Sequence, residues 1–222
     1  MQDANTENTL ETVAAKIARA AEIAQRKSGD IALIAVSKTR SAQEIVPLLK
    51  AGHRLFGENR VQEAAEKWPA LKTEFPGCKL HLIGQLQSNK AADAVKLFDC
   101  IHSVDRMSLI KALGKAMREA ERNIPVFLQV NIGAEDQKGG CAIGDIAGLL
   151  EAAGTNGIEV IGLMCLPPAD VEPAPYFALL AQLAERNGLH ALSMGMSGDY
   201  ETAVRLGATH IRVGTALFGP RG

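Results

Sequence analysis

Eight short apolar runs begin near residues 31, 54, 79, 100, 125, 158, 189 and 210, and each leads through a polar turn into an amphipathic stretch. The runs are partly β-branched and too short for globular helices, so they read as strands, and the stretches between them as helices. Regular strand–helix alternation produces a parallel sheet with helices outside it. Eight such units fit an α/β fold closed as a (β/α)8 TIM barrel. The competing doubly wound sheet would carry a G-x-G-x-x-G turn after its first strand, and the chain has none. With 222 residues and no linker or low-complexity tract, a single domain over 1–222 is expected.

Ahead of the first strand, Leu10, Val13, Ile17, Ala20, Ala21 and Ala24 recur at helical spacing. They predict an extra N-terminal helix over 9–27, preceded by a disordered polar tail over 1–8. Ser41 and Glu44 have the spacing of a capping box for the helix after the first strand, and Asp105 is expected to cap the helix after the fourth. Further helices are expected over 61–68, 143–153 and 173–187.

Charge excludes some function classes. The 24 lysines and arginines face 25 acidic residues, so no strongly basic nucleic-acid surface is expected. No apolar run approaches membrane-spanning length, and the polar, acidic start lacks the pattern of a secretory signal. The four cysteines are widely spaced without C-x-x-C, which suits reduced thiols in a cytoplasmic protein.

Chemistry in such a barrel belongs at the carboxyl ends of the strands. Lys38 falls there, directly after the apolar run over 31–36 and Ser37. Partial desolvation at a strand end favours the neutral, nucleophilic amine. A lysine that extends its ammonium past the strand into water fits the same position. Closure of the barrel sets the first strand beside the eighth. Two glycine-hydroxyl turns lie above strands seven and eight, one with Ser197 and Gly198 and one with Gly214 and Thr215. Glycine lets backbone N–H groups converge on an anion, and barrels commonly bind phosphate here, although either turn also reads as ordinary capping.

A phosphate clamp beside an amine suggests pyridoxal 5'-phosphate held as a Schiff base on Lys38. Arg212, on the last strand, fits a guanidinium set against the pyridine nitrogen, or a salt bridge at the rim. Asn59 and Met164 are candidate ring neighbours, and plain packing or loop hydrogen bonding suits them as well. The five histidines form no metal-spacing motif, so no metal is expected, and no carboxylate pair is evident.

Six segments together resemble a known family. They are Ala35-Val-Ser-Lys-Thr39; Phe56-Gly-Glu-Asn59 with Val61, Gln62 and Glu63; His81-Leu-Ile-Gly-Gln-Leu-Gln-Ser-Asn-Lys90; Gly162-Leu-Met164; Leu192-Ser-Met-Gly-Met-Ser-Gly-Asp199; and Ile211-Arg-Val-Gly-Thr-Ala-Leu-Phe-Gly219. In this order they resemble the pyridoxal phosphate homeostasis proteins, the YggS-type, alanine-racemase-like barrel family. Gly133 departs from the serine common there. The resemblance implies the N-terminal barrel of fold-type III pyridoxal phosphate enzymes, with Lys38 as the Schiff-base lysine. It further implies Ser197, Gly198, Gly214 and Thr215 at the phosphate, Arg212 at the ring nitrogen, and Asn59 and Met164 beside the ring.

For function, the resemblance implies a cytoplasmic, monomeric protein of vitamin B6 homeostasis that carries cofactor without an established reaction. Amino acids or cofactor-requiring apoenzymes are its expected partners. The alternative is a weak amino-acid racemase or other α-proton-exchange enzyme. Related racemases take a second acid/base, a tyrosine, from another domain of a partner subunit. This chain has only Tyr176 and Tyr200, expected in a peripheral helix and at the rim. A third class is a barrel for another phosphorylated ligand or for a protein partner, with Lys38 purely electrostatic.

Overall fold

Parallel pairing of Ala32–Val36 (β1) with His210–Val213 (β8) joins the first strand to the last, with Ile34 opposite Arg212. The computed structural model describes residues 2–219, with side chains from residue 8 onward. Between those two strands lie Leu55–Glu58 (β2), Lys79–Leu82 (β3), Cys100–Val104 (β4), Val126–Val130 (β5), Val160–Cys165 (β6) and Ala191–Ser193 (β7). All pair in parallel with their sequence neighbours, and the barrel closes in the order β1 to β8. The (β/α)8 expectation holds.

The helices between strands are Ala42–Lys50 (α2), Val61–Glu74 (α3), Ala91–Leu97 (α4), Met107–Glu119 (α5), Ile146–Thr155 (α6), Ala174–Arg186 (α7) and Tyr200–Arg205 (α8). Outward strand residues such as Phe56, Leu80, Val126 and Ile211 meet helix residues such as Leu48, Trp68, Leu113 and Phe177, all fully buried. Each such side chain contributes roughly 1.5–3 kcal/mol through removal from water. Ser41 caps α2 with the expected capping box. Its side chain accepts from the Glu44 N–H, and the Glu44 carboxylate accepts from the Ser41 N–H.

Three expectations are corrected. The first helix, Gln2–Ile23 (α1), begins at Gln2 rather than after a tail over 1–8, and it ends before 27. No glycine or proline interrupts residues 2–23, so helix propagates through the polar start. Met1 lies outside the described residues. Val13, Ile17, Ala20 and Ala21 bury the inner stripe of α1, which packs on α2 and α8, and the Arg26 guanidinium donates to Val204 O at 2.7 Å beyond its end. Asp105 does not cap α5, whose N-cap is Arg106. Its carboxylate is drawn instead to the Arg106 guanidinium (2.6 Å) and the Gly140 N–H (3.2 Å). The third helix continues past 68 to Glu74, through Pro69, because buried Leu71 extends its apolar face. A one-turn helix after β8, Thr215–Phe218 (α9), is too short to show in periodicity.

Candidate functional site

The strands' carboxyl ends surround a cavity of about 330 Å³. Lys38, Asn59, Ser197, Gly198, Arg212, Gly214 and Thr215 all line it, joined by Val36, Arg40, Ile83, Leu166 and Met196. Seven of the eight residues singled out from the sequence therefore meet in one space. Met164 does not line it; it is buried with Cys100 and Phe127 in a small separate cluster, and Leu166 supplies the nearby apolar wall.

Lys38 sits two residues beyond β1 and is half-buried. Across the cavity the two glycine turns are tied together. Ser197 Oγ accepts from the backbone N–H of Gly214 (3.2 Å) and of Ala216 (3.4 Å). Asp199 Oδ1 accepts from the Met196 N–H at 2.5 Å and closes the first turn. Gly195 sets that turn's path. Its φ is +92°, and a Cβ there would lie 2.6 Å from Ala203 Cβ, so only glycine fits without displacing α8.

Arg212 is 4% exposed. Its Nη1 donates to Ser193 Oγ at 2.6 Å and its Nη2 to Cys165 O at 2.9 Å. Burial lowers its pKa from the ordinary arginine value, with Cys165 and Asp199 opposing. Ser193 Oγ also lies 2.8 Å from His102 Nδ1, and His102 Nε2 lies 2.9 Å from His81 Nδ1. Since a guanidinium only donates, a chain satisfied throughout has Ser193 donating to His102 and His102 donating to His81. His81, inside β3, does not line the cavity and belongs to this buried chain.

The donor atoms of His81, Cys100 and His102 lie within 4.8 Å of one another, a grouping invisible in their spacing along the chain. The two ring nitrogens are already bonded to each other, and burial pushes the Cys100 thiol pKa far up.

Sequence reasoning missed Arg40 as a site residue. Its guanidinium donates to Glu44 (2.9 Å) and Gly219 O (2.7 Å) and lies over the Phe218 ring, so it ties the turn after β1 to the end of α9. Its position two residues after Lys38 was the available signal. Tyr200 is buried and lines no part of the cavity, and neither does Tyr176.

The profile of the alanine racemase N-terminal domain family matches residues 9–222. The pyridoxal phosphate homeostasis protein of Pseudomonas aeruginosa (strain PAO1) is 41% identical over 215 residues, covering 94% of this chain and 93% of its own. Its counterpart in Escherichia coli (strain K12) is 34% identical over 224 residues, covering 96% of each. The chain belongs to the alanine racemase N-terminal domain family, in the branch formed by the pyridoxal phosphate homeostasis proteins. Among solved structures, PipY of Synechococcus elongatus PCC7942 with PLP bound is 40% identical, with a TM-score of 0.80 over 92% of this chain and 100% of that one. Alanine racemase from Streptomyces lavendulae, 19% identical, shares the fold with a TM-score of 0.72 over 97% of this chain and 58% of that one.

Proposed function

We propose that this protein binds pyridoxal 5'-phosphate at the barrel mouth and serves vitamin B6 cofactor homeostasis, holding the cofactor as a Schiff base on Lys38 without robust catalysis. The observation that carries this reading is the meeting of Lys38, the two glycine turns and buried Arg212 in one cavity. The donor set suits the group. The Ser197 oxygen already accepts the Gly214 and Ala216 N–H groups, which leaves its hydroxyl proton to donate to a phosphate, and Gly198 leaves open space where a side chain would stand. Lys38 Nζ would supply the amine that condenses with the cofactor aldehyde, with release of water.

Bound cofactor would supply an electron sink for amino-acid chemistry, and the Arg212 guanidinium, set against the ring nitrogen, would weaken that sink by disfavouring its protonation. No tyrosine lines the cavity to move a proton on the opposite face. Both features favour carriage over turnover. The relatives' shared name supports the homeostasis role. The four cysteines are free and buried, in keeping with a cytoplasmic protein, and a monomeric state belongs to the same reading. Amino acids and cofactor-requiring apoenzymes are the partners this role implies.

The test is visible absorbance on adding pyridoxal 5'-phosphate, followed by borohydride reduction and peptide mapping. A Schiff-base band and a reduced adduct on Lys38 are expected, with Lys38→Ala folded and lacking the band. No band, or an adduct on another lysine, overturns the reading. Loss of α-deuterium from an amino acid far faster than with free cofactor would overturn the absence of catalysis.

A further inference from the structure

We propose that Lys67 is a positioning residue that, with Glu63 and Glu58, holds the Lys38 turn in the geometry needed to react with a cofactor aldehyde. The proposal rests on the reading of Lys38 as the cofactor's amine. The turn needs holding. Thr39, immediately after Lys38, has a φ of 61°, in the left-handed region that a β-branched residue enters only under strain. No glycine or proline in 37–41 fixes the path.

Lys67 supplies the restraint from α3. Its Nζ donates to Ser37 O and to Arg40 O, each at 2.9 Å, the two carbonyls that bracket Lys38 and Thr39. Its remaining donor goes to Glu63 Oε1 at 2.8 Å, and the same oxygen accepts from the Thr39 N–H at 2.6 Å. Three points around the strained turn thus converge on one ammonium and its carboxylate. Beneath them Glu58, fully buried, accepts at Oε1 from Ser37 Oγ (2.6 Å) and Trp68 Nε1 (3.0 Å), and the same oxygen lies 2.9 Å from Lys67 Nζ.

Lys67 is only 10% exposed in its side chain, and it does not line the cavity. Among the described residues, its hydrogen bonds and ion pairs run to the segment that presents Lys38 and to the carboxylates that anchor that segment. Its effect therefore passes through the placement of Lys38 Nζ. Small displacements of a reacting group cost rate steeply.

The experiment follows band formation with pyridoxal 5'-phosphate in the full-length chain, together with the urea unfolding midpoint. Glu63→Ala, at a partly exposed position, removes the Thr39 anchor and leaves the core intact. It is expected to slow Schiff-base formation about tenfold at an unfolding midpoint close to wild type. Lys67→Met is expected to slow it further, and Lys67→Arg, which keeps charge and donors, to restore most of the rate. Wild-type rates in folded Glu63→Ala and Lys67→Met, or no recovery in a folded Lys67→Arg, would overturn the positioning role and leave the Lys38 assignment standing. Absence of a Lys38 adduct in the wild type would instead overturn the underlying reading.

Discussion

Arg212 Nη1 donates to Ser193 Oγ at 2.6 Å, so the guanidinium at the base of the cavity is held by a hydroxyl from the neighbouring strand. The only other bond in which this guanidinium is held among the described residues runs to Cys165 O. Hydrogen bonds to a buried charge contribute about 1.5–3 kcal/mol each. Ser193→Ala should lower the unfolding free energy by about that amount and weaken cofactor binding, because Arg212 gains freedom to turn. Urea denaturation with and without pyridoxal 5'-phosphate measures both, and an unchanged midpoint would show that Cys165 O alone fixes the guanidinium.

The histidines below Arg212 should make the fold acid-labile. Burial and then His210 push the His81 pKa down to about 3; burial and then Arg212 push His210 down to about 4. Burial, reinforced by His81, His210 and Arg212, lowers His102 as well, while Asp99 works the other way on His81. Because the folded values lie below the unfolded value of roughly 6.5, the unfolded chain takes up protons first. Stability is therefore at its plateau above about pH 6.5 and is lost as pH falls toward 4 and then 3. Each buried histidine contributes a slope of roughly 1.4 kcal/mol per pH unit inside its window. The urea midpoint should fall steadily between pH 6.5 and 4.5, and His210→Gln should flatten that slope. An equal slope in the variant would remove His210 from the account.

The barrel was legible because its signal is periodic: each strand is buried on both faces, and each helix repeats an apolar stripe. The cavity was legible for a related reason, since residues just past a strand end must converge once the sheet closes. Six site residues obeyed that rule, and Arg212 reaches the same cavity from within β8. Met164 did not, because its place within β6 turns it toward Cys100 and Phe127. The floor chain from His81 through His102 and Ser193 to Arg212 was not legible, as its successive bonded partners lie 19 to 91 residues apart and meet only inside the closed barrel. Lys67 was hidden differently. Its i,i+4 spacing from Glu63 looks like any solvated helix pair. The start of α1 was missed because polarity alone says little about helix where no breaker intervenes.

The two glycine turns should separate binding from folding. A Cβ at Gly198 meets nothing within 4 Å, so Gly198→Ala should fold as the wild type does. The same methyl would intrude on a phosphate drawn to the turn. Ser197→Ala removes the hydroxyl that bridges the Gly214 and Ala216 N–H groups. Each variant should weaken pyridoxal 5'-phosphate binding about tenfold, the effect of about 1.4 kcal/mol. Equilibrium titration by absorbance or fluorescence measures this, and wild-type affinity in both would move the phosphate elsewhere.

Asn59 can be displaced without touching the cavity. A Cβ on Gly84 would stand 2.3 Å from Asn59 O and 2.7 Å from Asn59 Cα, both backbone atoms, while Ser103 Oγ holds the Gly84 carbonyl at 2.6 Å. Gly84 cannot retreat without breaking that bond, so in Gly84→Ala the turn carrying Asn59 must yield. Overpacking of this kind costs about 1–3 kcal/mol. Gly84→Ala should therefore lose stability and bind cofactor more weakly. Gly144→Ala, where a Cβ meets open space, should change neither. If Gly84→Ala is destabilised yet binds cofactor with wild-type affinity, the position of Asn59 is irrelevant to the ligand, and its place in the cofactor site falls.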